Sequence, residues 1–332
     1  MVALPKKWIR EMGLRQGDEI TITRPSNCSL LITAGPSPVK ADKDDAIIEC
    51  GEKDTPRAIM RKVIAVYSMG YNSFSLVSTG DSFPRKQSEA IKDLARKTLL
   101  GAEIIDDTRN RISLQVFVNN TDLHADNDLK RILAIASAMH QDAAVALEKF
   151  DKSLASEICD RDAEVDRFTL FLIRKLKTSI NGGVYEDTVL EPQDLLDYTQ
   201  VARTLERFAE CARDISQVVI ESTLPLERSL LERILRMDRF SMQLFDEAFL
   251  SLFKKDYKSA GELTEKAKAY GEMEKEIEAV MKEIMVPDFR QPTAMLMNFI
   301  RKTVEYSVEI AELVLNRSVE NAIRISKLEI NG

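Results

Sequence analysis

Cysteine and histidine are scarce in this sequence of 332 residues. The four cysteines stand far from one another and form no CxxC pair: Cys28, Cys50, Cys159 and Cys211. Neither histidine, His124 or His140, completes a standard zinc signature with them. A chain of this length has no need of a disulfide framework, so we interpret all four cysteines as free thiols in a reducing cytoplasm.

Aromatic residues, glycine and proline are sparse as well. Aromatic side chains account for 6% of the chain, which has only 12 glycines and 10 prolines. By contrast, 44% of the residues are apolar and 30% are charged. This composition excludes wholesale disorder and favours helices with an apolar face over a β-sandwich or barrel. The length corresponds to about two or three domains.

Long apolar runs are absent too. Uncharged stretches such as 132–138 fall far short of the about 18 residues that indicate a membrane-spanning helix. Charged residues between Lys6 and Glu11 interrupt the start of the chain, so we expect no secretory signal. The net charge of −7 disfavours a protein that mainly coats nucleic acid, but it leaves room for a small basic patch. These features predict a soluble cytoplasmic protein.

The first 34 residues form a compact pattern of their own. A short helix is predicted over 4–12, with Pro5 in its first turn and Gly13 as its terminator. Two strands are predicted after it, over 19–23 and 29–32. A unit this small buries little surface by itself, so we expect its core to be completed by a partner chain.

This segment resembles the AbrB-type swapped-hairpin family over residues 1–34. The resemblance depends on three short motifs: Leu4-Pro5-Lys6-Lys7-Trp8, Gly13-Leu14 and Gly17-Asp18-Glu19. It implies a dimeric DNA-binding module. The opening strand of that family has no counterpart before Val2.

The same segment carries five basic and three acidic residues, whereas the whole chain is acidic. The candidate DNA contacts are its five basic residues: Lys6, Lys7, Arg10, Arg15 and Arg24. A local basic patch on an acidic protein suits docking on the phosphate backbone. A solvated dimerisation module is the alternative, with Trp8 in its core or interface.

A linker and a small α/β unit are predicted to follow. Residues 35–54 contain Pro36, Pro38 and mixed charges, which is typical of a linker. Residues 55–120 are predicted as an α/β spacer without a phosphate-binding glycine loop. Its predicted elements are two helices, near 58–67 and 89–100, and three strands, near 74–77, 104–105 and 112–118.

From Asp126 onward the sequence is helical almost without interruption. Six helices are predicted: 126–149, 152–180, 192–221, 224–252, 255–285 and 290–328. They divide into two sets of three, 126–221 and 224–328, which indicates an internal repeat. The predicted fold class is therefore mainly α, with two tandem three-helix bundles after the α/β spacer and the N-terminal β-rich unit.

The second and third helices of the two halves carry similar acidic patterns. Asp162-Ala163-Glu164-Val165-Asp166 aligns with Glu274-Lys275-Glu276-Ile277-Glu278. Leu205-Glu206-Arg207-Phe208-Ala209-Glu210 aligns with the six residues that begin at Ile300. Over 126–328 the chain resembles PhoU, the phosphate uptake regulator family, whose two repeats carry an E(D)xxxD motif on the third helix. Glu206 and Glu210 match that motif; in the second repeat Glu305 matches its last position and Arg301 replaces its first acid.

Together with the AbrB-like start, this pattern resembles the archaeal branch of PhoU-like proteins. The resemblance implies a cytoplasmic, dimeric negative regulator of phosphate transport and phosphate homeostasis. It implies contacts with phosphate ABC transporter subunits and with a signalling partner. It also implies iron or zinc ions on the acidic motifs.

Acids four residues apart lie on one helix face and repel each other unless a cation neutralises them. Oxygen-rich sites suit hard divalent or ferric ions. The candidate metal ligands are five acids: Asp162, Asp166, Glu206, Glu210 and Glu305. Ordinary solvated helix faces are the alternative in a chain with 54 acids. We expect Arg301 to pair with Glu305 in place of a metal, and Glu274 and Glu278 are weaker candidates.

The sequence indicates a regulator and not an enzyme. A di-iron carboxylate enzyme needs Glu-x-x-His, and neither His124 nor His140 has a glutamate three positions before it. No Ser-His-Asp arrangement and no Walker-type loop are recognised. We interpret His140 as a partly buried helix residue. The alternative function is a phosphate-responsive transcription regulator that binds DNA through residues 1–34, and a third is a structural oligomer.

Overall fold

The computed structural model describes residues 3–26, 29–35, 46–117, 125–182, 192–283 and 287–322. The chain divides into two compact units. One comprises residues 1–125 and 170–199, and the other comprises 126–169 and 200–332. His124, Cys28, Gly183 and the predicted helical residues 323–328 lie outside the described residues.

The N-terminal segment has the predicted order of elements. It contains α1 (Lys6–Glu11), β1 (Ile20–Ser26) and β2 (Ser29–Ala34), with β1 and β2 antiparallel. Gly13 has φ 66°, a left-handed conformation that glycine adopts without strain, and this explains why α1 ends there. No side chain is buried among residues 3–22 and 32–35, where burial is described.

A four-stranded sheet with two helices follows. Its elements are β3 (Ala46–Cys50), α2 (Pro56–Ser68), β4 (Ser73–Ser78), α3 (Arg85–Lys97), β5 (Ala102–Asp107) and β6 (Arg111–Val116). The strand order is β3-β4-β6-β5, in which β3 and β4 are parallel and the other pairs are antiparallel. The core contains fully buried Tyr67, Phe74 and Leu76.

The strand β3 lies within the range 35–54 that we predicted as a linker, so that prediction is wrong for residues 46–50. Its five residues, Ala-Ile-Ile-Glu-Cys, pair with residues 74–78 of β4, with Ile48 and Cys50 buried. The run was hidden in the sequence because charged residues flank it on both sides. Residues 36–45 of the predicted linker lie outside the described residues.

The remainder is helical, and the predicted fold class is confirmed. The helices are α4 (Ala125–Lys149), α5 (Lys152–Gly182), α6 (Pro192–Glu221), α7 (Arg228–Lys254), α8 (Tyr257–Ala267), α9 (Tyr270–Glu283) and α10 (Pro287–Ala322). Within the described residues, no helix is both long enough and apolar enough to cross a bilayer.

The single helix predicted over 255–285 is wrong, because α8 and α9 are separate helices. Between them, the backbone N–H of Lys268 bonds to the carbonyl of Glu265 and that of Ala269 bonds to the carbonyl of Lys266. These bonds span three residues and not the four of an α-helix, so the chain tightens into a turn. Gly271, just after the turn, lowers the helix propensity of this stretch.

An aromatic stack joins three helices of the second unit. The ring of Phe208 on α6 lies between His140 on α4, with centroids 4.0 Å apart, and Phe245 on α7, with centroids 3.6 Å apart. His140 is 1% exposed, so it is fully buried where we predicted partial burial. Its Nε2 lies 2.7 Å from the carbonyl oxygen of Phe208. The stack fixes the separation of α4, α6 and α7 in the bundle core.

Candidate functional site

Four of the predicted acids come together on α5 and α6. Asp162 and Asp166 lie one turn apart on α5, and Glu206 and Glu210 lie one turn apart on α6. The negative charges of Asp162, Glu206 and Glu210 all act on Asp166. We call these four residues the acidic cluster.

Arg213, which we did not predict as a site residue, neutralises part of the acidic cluster. Its Nη1 donates a 2.6 Å hydrogen bond to Oδ2 of Asp162, and its Nη2 donates a 2.9 Å bond to Oδ1 of Asp214. The side chain of Asp162 is 10% exposed. Its Oδ1 is buried and has no hydrogen-bond partner among the described residues. A buried carboxylate with one oxygen unpaired is a group that a further donor or cation stabilises.

The cluster holds two carboxyl groups with raised pKa values. Desolvation raises the pKa of Asp166 to about 7, and the charges of Asp162, Glu206 and Glu210 add to this, whereas Arg213 opposes it. Desolvation also raises the pKa of Glu210, with a smaller contribution from Asp162. Asp166 is therefore close to half protonated at neutral pH. An incoming positive charge favours the ionised form of both groups.

Glu206 of the acidic cluster is paired within its own helix, and the fifth predicted metal ligand, Glu305, lies on a different helix. Glu206 accepts a 2.6 Å hydrogen bond from Arg203, three residues before it on the same helix. Glu305 is exposed on α10 and is not one of the four cluster residues. The predicted pair between Arg301 and Glu305 is wrong.

Arg301 instead reaches the neighbouring helix. Its Nε donates a 2.9 Å hydrogen bond to Oε1 of Glu274 on α9, because the two side chains face each other where α9 packs against α10. Glu278, one turn further along α9, is exposed to solvent. Glu274, in the predicted second repeat, is therefore paired with an arginine, as Asp162 is in the predicted first repeat.

The arrangement fits a metal ion poorly. Within the described residues, no group of three or more histidine, cysteine, aspartate or glutamate side chains is arranged to hold one. Arg213 already supplies a permanent positive charge beside Asp162. Metal binding by the cluster stays a prediction, and His140, whose pKa burial lowers to about 4, is enclosed in the core.

The predicted DNA contacts at the N-terminus are accessible. Lys6, Lys7, Arg10 and Arg15 are exposed, and the side chain of Arg24 lies outside what the structure describes. Trp8 is half-buried. Lys7 and Glu11 lie 3.9 Å apart on one face of α1, so the positive charge of Lys7 is partly compensated.

Arg213 could have been found from its spacing. It stands three residues after Glu210, which places both side chains on the same face of α6. Nothing in the spacing, however, indicates that Arg213 reaches across to α5. That contact depends on how α5 and α6 pack.

Comparison with known proteins agrees with this architecture. Residues 129–219, from within α4 almost to the end of α6, match the PhoU domain family model and contain the whole acidic cluster. The match does not extend to residues 1–34, so the AbrB-type resemblance stays a prediction. No curated protein matches the chain.

Two solved structures share the fold. The crystal structure of PhoU from Pseudomonas aeruginosa aligns with a TM-score of 0.51 at 13% identity, over 60% of this chain and 96% of that one. The crystal structure of the phosphate transport system regulatory protein PhoU from Streptococcus pneumoniae aligns with a TM-score of 0.50 at 15% identity, over 61% of this chain and 96% of that one. At these identities the likeness establishes a PhoU-like fold.

Proposed function

We propose that the protein regulates phosphate uptake and phosphate signalling by contact with a phosphate ABC transporter. The observation that carries this proposal is the PhoU domain match over residues 129–219, together with a PhoU-like fold over 60% of the chain. One of the two similar structures, PhoU from Streptococcus pneumoniae, is a phosphate transport system regulatory protein. The protein acts by binding: a partner that docks on one of its conformations shifts the equilibrium toward that conformation.

The acidic cluster is the contact surface in this proposal. Asp166 and Glu210 are held in an environment that disfavours their charged forms. A lysine or arginine of the partner relieves the repulsion among the acids and donates a hydrogen bond to the unpaired Oδ1 of Asp162. Binding then strengthens as the pH rises through about 7, because Asp166 must lose its proton to pair with a cation.

The test combines deletion with co-purification. We expect a strain without the protein to lose the normal repression of phosphate uptake in phosphate-rich medium. The tagged full-length protein should retain transporter subunits, and Asp166→Asn with Glu210→Gln should weaken that retention. Glu164→Gln is the matched control, because Glu164 is an exposed acid on the same helix. Uptake that does not change on deletion contradicts the proposal.

Metal binding at the cluster is a separate proposal. If iron or zinc binds there, Glu206→Gln with Glu210→Gln should lower the metal content of the purified protein without unfolding the bundle. Elemental analysis of both proteins decides the matter. The proposal is contradicted if neither the wild type nor the variant contains metal, or if their metal contents are equal.

A second candidate function is DNA binding through residues 1–34, and the exposure of four basic side chains there supports it. No side chain is buried in the part of this segment where burial is described, residues 3–22 and 32–34, which supports pairing with a second copy. Lys6→Ala with Lys7→Ala should then weaken salt-dependent binding of a DNA fragment. Lys258→Ala with Lys275→Ala, two exposed lysines of the helical unit, is the control. Equal binding by both double variants excludes the N-terminal site.

A further inference from the structure

A groove of about 540 Å³ runs between α4 and α7, the first helices of the two repeats. Its walls are largely apolar, with Val145 from α4 and Leu235, Met242 and Leu250 from α7. This volume is within the range of pockets that take small organic ligands, about 300–1,000 Å³. The groove is separate from the acidic cluster, since none of the four cluster residues lines it.

Asp238 lies in the wall of this groove, and its carboxyl group has no partner among the residues that the structure describes. The residue is only 6% exposed. Within the described residues its carboxylate takes part in no hydrogen bond or ion pair, although Arg239 is close enough to act on its charge. Desolvation raises the pKa of Asp238 to about 7, and Arg239 lowers it only in part. An ionised carboxylate is costly to bury without a partner, so Asp238 is a group that a bound cation would stabilise.

The rest of the groove adds to the negative charge. Glu148, Asp246 and Glu247 also line it, and Arg239 is the one basic residue among its described lining. Lys266 on α8 neutralises Glu247 through a 2.8 Å ion pair. Asp246 follows Asp238 by eight residues, which corresponds to about 12 Å along the helix axis. Two negative positions are therefore separated by the apolar surface of Met242.

This pattern selects an organic cation over a metal ion. A divalent metal needs several oxygen ligands around one point, and no such group occurs among the described residues. An alkyl chain, in contrast, gains from burial against Val145 and Met242. Protonated nitrogens at its two ends pair with Asp238 and Asp246.

We propose that the groove between α4 and α7 binds a linear aliphatic amine with two or more protonated nitrogens. One ammonium group donates hydrogen bonds to Asp238, the chain lies along Met242, and a second ammonium reaches Asp246. The site is independent of the proposed contact with a transporter.

The test is a calorimetric titration of the full-length protein with spermidine at about pH 8, where Asp238 is ionised. We expect saturable binding to the wild type that Asp238→Asn weakens by about tenfold or more, which corresponds to the loss of one charge-assisted contact. Glu232→Gln is the matched control. It removes the same charge from the same helix, outside the groove, and should leave the affinity unchanged.

A second variant, Ala144→Phe, fills the groove from α4 without a change of charge and should also abolish binding. Three outcomes overturn the proposal: no saturable binding of spermidine, equal weakening by Asp238→Asn and Glu232→Gln, or binding that survives Ala144→Phe. Magnesium chloride and a short arginine-bearing peptide are titrated in parallel. Binding of either one at Asp238 without binding of spermidine also overturns it.

Discussion

Burial moves the pKa values of single side chains in opposite directions in the helical unit. It raises the pKa values of Asp166 and Asp238 to about 7, and it lowers the pKa of His140 to about 4. The cause is the same in each case, because removal from water disfavours the charged form. The two buried acids lower the free energy of unfolding as the pH rises from about 4 to about 7, because their carboxyl groups ionise first in the unfolded chain. His140 has the opposite effect, because it lowers the free energy of unfolding as the pH falls.

The contribution of His140 to stability should appear between its two pKa values. The folded protein keeps this histidine neutral, whereas the unfolded chain takes up a proton below about pH 6.5. Stability should therefore fall by about 3 kcal/mol as the pH drops from about 6.5 to about 4. His140→Phe keeps an aromatic ring against Phe208 and should remove that loss. Denaturant unfolding of both proteins at several pH values measures it, and parallel pH profiles would contradict the prediction.

At the scale of elements, Arg174 connects α5 to the end of α2. It is fully buried, its Nη1 donates hydrogen bonds to the carbonyl oxygens of Tyr67 and Tyr71, and its Nη2 donates one to Oδ1 of Asn72. No acidic residue appears among these partners. Carbonyls at a helix C-terminus carry partial negative charge, so they take the place of a carboxylate.

Arg174→Met should loosen α2 and β4, because it leaves these oxygens without their donor. We expect a loss of about 2–4 kcal/mol in local stability. Arg174→Lys should lose less, since lysine keeps the charge but not the planar fork. Hydrogen exchange of residues 56–78 measures the effect. Arg96→Met, at an exposed position of α3, is the control, and equal exchange in it and in Arg174→Met would refute the role of Arg174.

The elements that the sequence predicted are those in which apolar residues recur with a clear helical or strand period. The strands near 74–77 and 112–118 and the long helices follow from hydrophobic spacing, and the end of α1 follows from Gly13. The strand β3 and the turn between α8 and α9 were missed. Burial of β3 beside β4 overrides its charged flanks, and a turn made by a few shortened hydrogen bonds leaves no trace in hydrophobic spacing.

At the scale of the whole molecule, the sequence predicted a mainly helical fold with a helical bundle. It also predicted which acids share a face, but not what neutralises them. The spacing of Glu206 and Glu210 follows from helix geometry alone. The pairing of Arg213 with Asp162, and the unpaired state of Asp238, depend on which helices are neighbours. Long-range packing, which no local pattern encodes, therefore decides the chemistry of both sites.

The two predicted repeats hold an ion pair at acids that align in sequence, Asp162 and Glu274, but the arginines stand at different positions. Arg301 aligns with Glu206. Arg213, in contrast, lies seven residues after Glu206 on α6, a displacement of about 10 Å along the helix axis. If one ancestral bundle was copied, the halves acquired their arginines separately. Exchange of third helices between the halves would consequently mismatch the charges, so the duplicated segments are no longer interchangeable parts.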